Sequence, residues 1–160
     1  MALQKVVNAK LGFGVEGDIY DNSPKRCDPY IVSANGENPA MVGRAFTYTS
    51  GSPEKAVVGG ENIFAGILVN SKEYARQGLT ASLEVADGTA GELLSFGRVV
   101  VKVAQEFKAG YLGCYNTTTG EIGATATADG VPAGYAVIAN SKFVLIDGAA
   151  AGLGVLQIGD

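Results

Sequence analysis

Arg98-Val-Val-Val-Lys-Val-Ala104 places four valines in seven residues. A β-branched side chain loses rotamer freedom against a helical turn and fits a pleated surface instead. The segment therefore reads as a strand, the strongest in the chain. Outward from it the same pattern recurs in short apolar runs closed by glycine turns. Met41–Thr49 alternates, with Val42, Arg44, Phe46 and Tyr48 set against Gly43, Ala45, Thr47 and Thr49. Ile63–Val69 is continuously apolar and suits a strand buried on both faces.

Further strands are expected at Tyr30–Ala34, Leu79–Ala86, Tyr111–Tyr115, Gly120–Thr127, Gly134–Ala139, Phe143–Ile146 and Leu153–Ile158. Asn35-Gly36 is a hairpin-type dipeptide, Gly51–Pro53 reads as a turn, and Asp87-Gly88, Asp129-Gly130 and Asp147-Gly148 tolerate positive φ. Ser71–Arg76 can form one helical turn capped by Ser71. Residues 11–30 hold too many glycines and prolines for a regular element. No amphipathic helix interrupts the strands, which argues against βαβ units. The pattern predicts an all-β fold of jelly-roll or β-barrel/sandwich-like type. Residues 1–10 form an extended N-terminal arm, and residues 11–160 form a single β-rich domain.

The chain has 160 residues, none of them histidine and none tryptophan. Missing histidine removes the commonest acid–base group and the commonest metal ligand. Twelve basic against sixteen acidic residues give a net charge of −4. The basic residues are dispersed, so no row of phosphates is matched and nucleic-acid binding is not expected. No apolar run approaches the roughly 20 residues of a membrane span, and no membrane partner is expected. The first ten residues, MALQKVVNAK, lack a hydrophobic signal core, which points away from secretion. Cys27 and Cys114 are then free thiols of a reducing compartment rather than a disulfide.

Gly12-Phe-Gly14-Val-Glu-Gly17 has the letters of a dinucleotide fingerprint. That site needs a helix N-terminus after the glycines, and Asp18-Ile-Tyr-Asp-Asn-Ser-Pro24 supplies two acids and a breaker, so a loop is expected. Gly148-Ala-Ala-Ala-Gly152-Leu-Gly154 lacks the Lys-Ser/Thr ending of a phosphate loop and reads as a wide turn. Glu16 with Asp18, and Glu84 with Asp87, sit beside glycines where solvated acids are ordinary. Cys114, with no histidine to activate it, reads as a small core residue. Asn116-Thr-Thr118 is a glycosylation sequon by letters alone. The seven tyrosines suit either an interface or a half-buried rim. No catalytic residue, cofactor or metal is expected.

Several segments in order resemble the capsid cement proteins, the head decoration or stabilisation proteins of tailed bacteriophages. They are Met1-Ala-Leu-Gln-Lys5, Val15-Glu-Gly-Asp18 leading to Pro24-Lys-Arg26, Val42-Gly-Arg-Ala-Phe46, Phe64-Ala-Gly-Ile-Leu-Val-Asn70, Gly91-Glu-Leu-Leu-Ser-Phe-Gly-Arg98, Ala139-Asn-Ser-Lys-Phe-Val-Leu-Ile-Asp147 and Gly154-Val-Leu-Gln-Ile158. The resemblance implies a jelly-roll or barrel-like β fold without catalytic activity. It implies a protein made in the bacterial host cytoplasm and carried on the outer surface of the virion capsid. There it acts as a homodimer or homotrimer that bridges neighbouring major capsid protein subunits.

On that reading, contacts with the major capsid protein or a sister subunit are expected from the arm and from the loop around Tyr20–Tyr30. The candidate residues are Ala2, Leu3, Gln4, Lys5, Val6, Val7, Asn8, Tyr20, Arg26 and Tyr30. The rival readings are a tail-tube or baseplate β protein, a carbohydrate-binding β sandwich, and a small enzyme working through carboxylates. Sugar-binding sandwiches usually offer tryptophan platforms, and this chain has none.

Overall fold

A computed structural model describes residues 14–70, 83–146 and 152–159. The strands are β1 (Arg26–Ser33), β2 (Ala45–Thr49), β3 (Ser52–Val58), β4 (Phe64–Leu68), β5 (Ala90–Val103), β6 (Leu112–Asn116), β7 (Ile122–Thr125), β8 (Tyr135–Val137), β9 (Ser141–Ile146) and β10 (Gly152–Ile158). A 3-10 turn, Ala128–Gly130, takes the predicted Asp129-Gly130 turn. No α-helix occurs among the described residues. The arm, the helical turn at Ser71–Arg76 and the Asp147-Gly148 turn lie outside them.

The order β1-β3-β2-β4-β5, with β5 pairing back onto β1, closes a five-stranded barrel. β10 and β9 extend the sheet from β5, and β7-β6-β8 make a second, smaller sheet. The barrel alternative of the expected all-β fold is the one adopted.

β5 serves both parts because it bends. Its first half pairs with β1 up to Phe96, and its second half, from Gly97, pairs with β10. At the bend the pairing steps from Cys27–Leu94 to Arg26–Phe96, leaving Ser95 extra. One extra residue reverses the alternation of side chains. Leu93 faces the barrel interior and Leu94 the outer core, and beyond the bulge Val99, Val101 and Val103 face that outer core. Gly97, at φ 124, takes a backbone conformation that a side chain would strain.

Two cores result. Inside the barrel, Val32, Phe46, Ala56, Val58, Leu68 and Leu93 pack together with Val42 and Val85. Outside it, Ile67, Leu94, Val99, Val101, Leu156 and Phe143 pack against Tyr115, Ile122 and Ala124 of the small sheet. Phe107 and Phe143 meet there with ring centroids 4.8 Å apart.

The sequence reading differs from the structure at several places. Ser52–Val58 is a strand although Gly51–Pro53 reads as a turn, and Arg26–Tyr30 is strand although it lies in the breaker-rich region. Both prolines fall where the ladder opens. Parallel pairing of β1 with β3 covers only Ile31–Lys55, Val32–Ala56 and Ser33–Val57. Val32 bonds Thr89 and Gly88 on the β5 side, so alternate residues, Pro29 among them, turn their backbone toward β3. Pro29 has no N–H to offer there. In the same register its opposite number is Pro53. Thirdly, β2 begins only at Ala45, because Gly43 at φ 82 breaks the expected run. Of Leu79–Ala86, the described part holds an isolated bridge from Glu84 to Met41 rather than a strand.

The β6–β7 turn locks the small sheet to the barrel. The Ala45 N–H donates to the Gly120 carbonyl at 2.8 Å, and the Gly60 N–H donates to the Thr117 carbonyl at 2.6 Å. Asn116 Oδ1 accepts from the Thr118 and Thr119 N–H groups at 2.8 and 3.1 Å, so the sequon asparagine caps the turn. Gly120 has φ +71, and a Cβ there would lie 2.6 Å from the Ala45 carbonyl oxygen.

Gly120→Ala is expected to lower stability by about 2–4 kcal/mol, because strain and collision add. Gly36→Ala, also at positive φ but with open space around it, should cost only about 1 kcal/mol. Urea unfolding of both variants beside the wild type checks the contrast.

Candidate contact surface

Residues 17–20 run antiparallel to β5, continuing the edge that β1 leaves. The Gly17 N–H donates to the Val100 carbonyl at 2.8 Å, the Val100 N–H to the Asp18 carbonyl at 2.9 Å, and the Tyr20 N–H to the Arg98 carbonyl at 3.0 Å. No helix follows Gly14 and Gly17, so the described part of the nucleotide-like motif is a pinned loop. Asp18 accepts from the Val15 N–H and from Asn70 Nδ2, each at 3.0 Å. Arg98 fastens the next bend through Asp21 at 3.0 Å and Gln157 at 3.1 Å. Ser23 and Arg98 hydrogen-bond the Asp21 carboxylate and hold its pKa below the usual range.

Glu16 departs from the expectation of a solvated acid. Its side chain lies over Gly43 in a groove shared with Arg44, Lys102, Glu121 and Tyr135. Burial raises its pKa, opposed by the positive charges of Arg44 and Lys102. Arg44 is committed to Glu121 at 3.2 Å and donates to the Thr119 carbonyl at 2.9 Å. The acids that meet in this groove are thus Glu16 and Glu121 around an arginine, a charge-balanced junction, and Asp18 is engaged elsewhere.

Three of the candidate contact residues lie along one edge of β5. Tyr20 sits opposite Arg98 and is 36% exposed. Arg26 sits opposite Phe96, its side chain in solvent but ion-paired to Asp28 at 3.0 Å. Tyr30 sits opposite Gly91 and is half-buried at one mouth of the barrel. Its ring meets Tyr48 edge-on at 5.6 Å, and the two hydroxyls lie 3.3 Å apart. Ala2 through Asn8 lie outside the described residues. Tyr48, Tyr111 and Tyr135 are also half-buried and Tyr115 is buried, so most of the described tyrosines are rim or core.

Beside Tyr48 stands a residue that the sequence conceals. Ile63 opens the apolar run Ile63–Val69, yet it is 78% exposed while Ala65–Val69 are buried. It precedes β4 instead of belonging to it. The signal was the adjoining Glu61-Asn62, polar residues that mark the end of a turn. Cys27 and Cys114 are free thiols, as expected, and burial pushes the Cys114 thiol up to about 11.

Residues 3–159 match the family model described as structural cement protein (E217 gp24/Pam3 gp6). The chain belongs to the phage structural cement protein family. Among solved structures, a chain of "The capsid of Myoviridae Phage XM1" superposes with a TM-score of 0.65 at 17% identity, covering 100% of the cement protein and 99% of that chain. At that identity the likeness concerns the fold. No curated protein matches. The cement protein is a phage capsid-associated structural protein with an all-β barrel fold, and the resemblance drawn from its sequence segments holds.

The Tyr48 hydroxyl and partial burial push the Tyr30 pKa up to about 12. An unfolded tyrosine ionises near pH 10. Between about pH 10 and 12 the unfolded chain therefore loses this proton first, and stability falls as pH rises. Tyr30→Phe should make that alkaline decline shallower, read by urea unfolding at stepped pH. The Cys114 contribution, of the same sign, remains in both proteins.

Proposed function

We propose that this cement protein binds the outer face of the DNA-filled head and bridges neighbouring major capsid protein subunits, as a homodimer or homotrimer. The observation that carries the reading is membership of the cement family across residues 3–159. Physical reasoning supports it. A DNA-filled shell is pushed outward, and its seams are where it yields. A protein that binds two or three subunits together gains effective concentration, so weak contacts add to an avidity gain of about 10²–10⁴. Binding only the intact shell favours that state by mass action. The net charge of −4 offers no attraction to packaged DNA, in keeping with an exterior position.

Contacts in this reading come from Ala2, Leu3, Gln4, Lys5, Val6, Val7 and Asn8 of the arm, and from Tyr20, Arg26 and Tyr30 on the body. An extended arm can add a strand to a partner's edge.

The test uses sealed, DNA-filled heads that lack the protein. Purified protein added afterwards should saturate them and raise their resistance to heat, since an outer site is open after closure. Heads that take up none of it would remove the proposal. Deleting residues 1–10 should leave the melting transition of the body in place and cut head occupancy. Full occupancy by the truncated protein would exclude the arm as a contact.

A further inference from the structure

We propose that the Tyr48–Ile63 end of the barrel is a docking surface, and that its occupant is a loop of the major capsid protein presenting an apolar side chain next to a lysine or arginine. This rests on the capsid-binding role above and adds to it a place and a chemistry.

Ile63 is the most exposed large apolar residue among the described residues, at 78% against 51% for Val15 and 40% for Leu145. It is also held. The Tyr48 N–H donates to the Ile63 carbonyl, and Asn62 Nδ2 donates to the Tyr48 carbonyl, both at 3.0 Å. With its backbone held and its χ1 restricted by β-branching, an uncovered isoleucine loses little freedom when a partner covers it, the property of an interface anchor. A groove of about 440 Å³ opens next to it, lined by Tyr48, Thr49, Ser50, Glu61 and Asn62, and an adjoining one runs past Gly51 to Pro53. Tyr30 braces Tyr48 from behind. The divergence of β1 from β3 at Pro29 and Pro53 lies toward this same end.

Charge selects the occupant. Glu61 is the only charged residue lining either groove, and it is exposed with no ion pair among the described residues. The exposed cation Lys55 lies two residues from Pro53 along β3, outside the lining of either groove. A partner that covers Ile63 and Tyr48 therefore meets a carboxylate in want of a positive charge, and a like charge there would repel. In a two-fold contact of this groove with its own copy, Glu61 would face Glu61.

The experiment adds wild type, Ile63→Asp, Glu61→Lys and Leu145→Asp to DNA-filled heads lacking the protein, at low and high salt. Because Ile63 and Glu61 are exposed, melting curves should coincide with wild type. Ile63→Asp and Glu61→Lys should each weaken binding about tenfold or more. Wild-type binding should fall with salt, binding by Glu61→Lys should fall less, and Leu145→Asp should bind as wild type does. Wild type binding with both groove variants equal to it overturns this surface while leaving the capsid-binding role intact. Wild type failing to bind overturns that role, and the docking surface with it. Loss of self-association by Ile63→Asp in sedimentation, with head binding by the subunits unchanged, assigns the face to a second copy and overturns the proposal.

Discussion

β5 is a strand with neighbours on both edges, and the placement of everything else follows from it. One edge carries β1 and then the residue 17–20 segment; the other carries β4 and then β10. Beyond the bend the face of β5 that the outer core covers is apolar, Val99, Val101 and Val103, while its alternates include the half-buried Arg98 and the exposed Lys102. The bulge at Ser95 with Gly97 lets this one strand point Leu93 into the barrel and Leu94 out of it, then keep the later valines outward. Without that reversal the second half would present its polar alternates to the small sheet, and the outer core would not form.

The two cores are joined by backbone as well as by side chains. The β6–β7 turn reaches the barrel through peptide groups of Ala45, Gly60, Thr117 and Gly120, where no side chain intervenes. Hydrogen bonds of that kind fix direction as well as distance. Polar side chains in the cores are likewise engaged: Thr47 donates to the Gly59 carbonyl, and Ser141 donates to the Ile138 carbonyl while accepting from the Gly113 N–H. Among the described residues no buried side-chain nitrogen or oxygen lacks a partner. The body is therefore constrained as a unit by contacts that would each cost about 1–3 kcal/mol to break.

How far the sequence reveals this depends on whether a residue's role is local. Strand identity was legible at Arg98–Ala104 and Phe64–Leu68, where β-branched and apolar residues leave few alternatives. Ser52–Val58 was hidden because glycine and proline carry turn signals in isolation, and only the open seam with β1 makes Pro53 tolerable in a strand. Glu16 was hidden for a similar reason. Its neighbours are glycines, but it is buried by Gly43, Arg44 and Lys102, which arrive from elsewhere in the chain. Surface function is the least local of all. Ile63 differs from the buried residues after it only in adjoining Glu61-Asn62, and no periodicity separates them.

Constraint of the body also bears on what a bridging protein can achieve. Covering one isoleucine yields about 1.5–3 kcal/mol, far short of lasting attachment on its own. Several such contacts, spaced across two or three subunits, suffice only when engaging one brings the others into register. A body whose parts shifted against each other would dissipate that gain as conformational entropy at each binding event. The glycine-tight junction between barrel and small sheet, and the backbone bond that holds Ile63 to Tyr48, oppose that loss before any partner arrives. In the bridging role proposed above, a locked body is what would let many individually weak contacts act together.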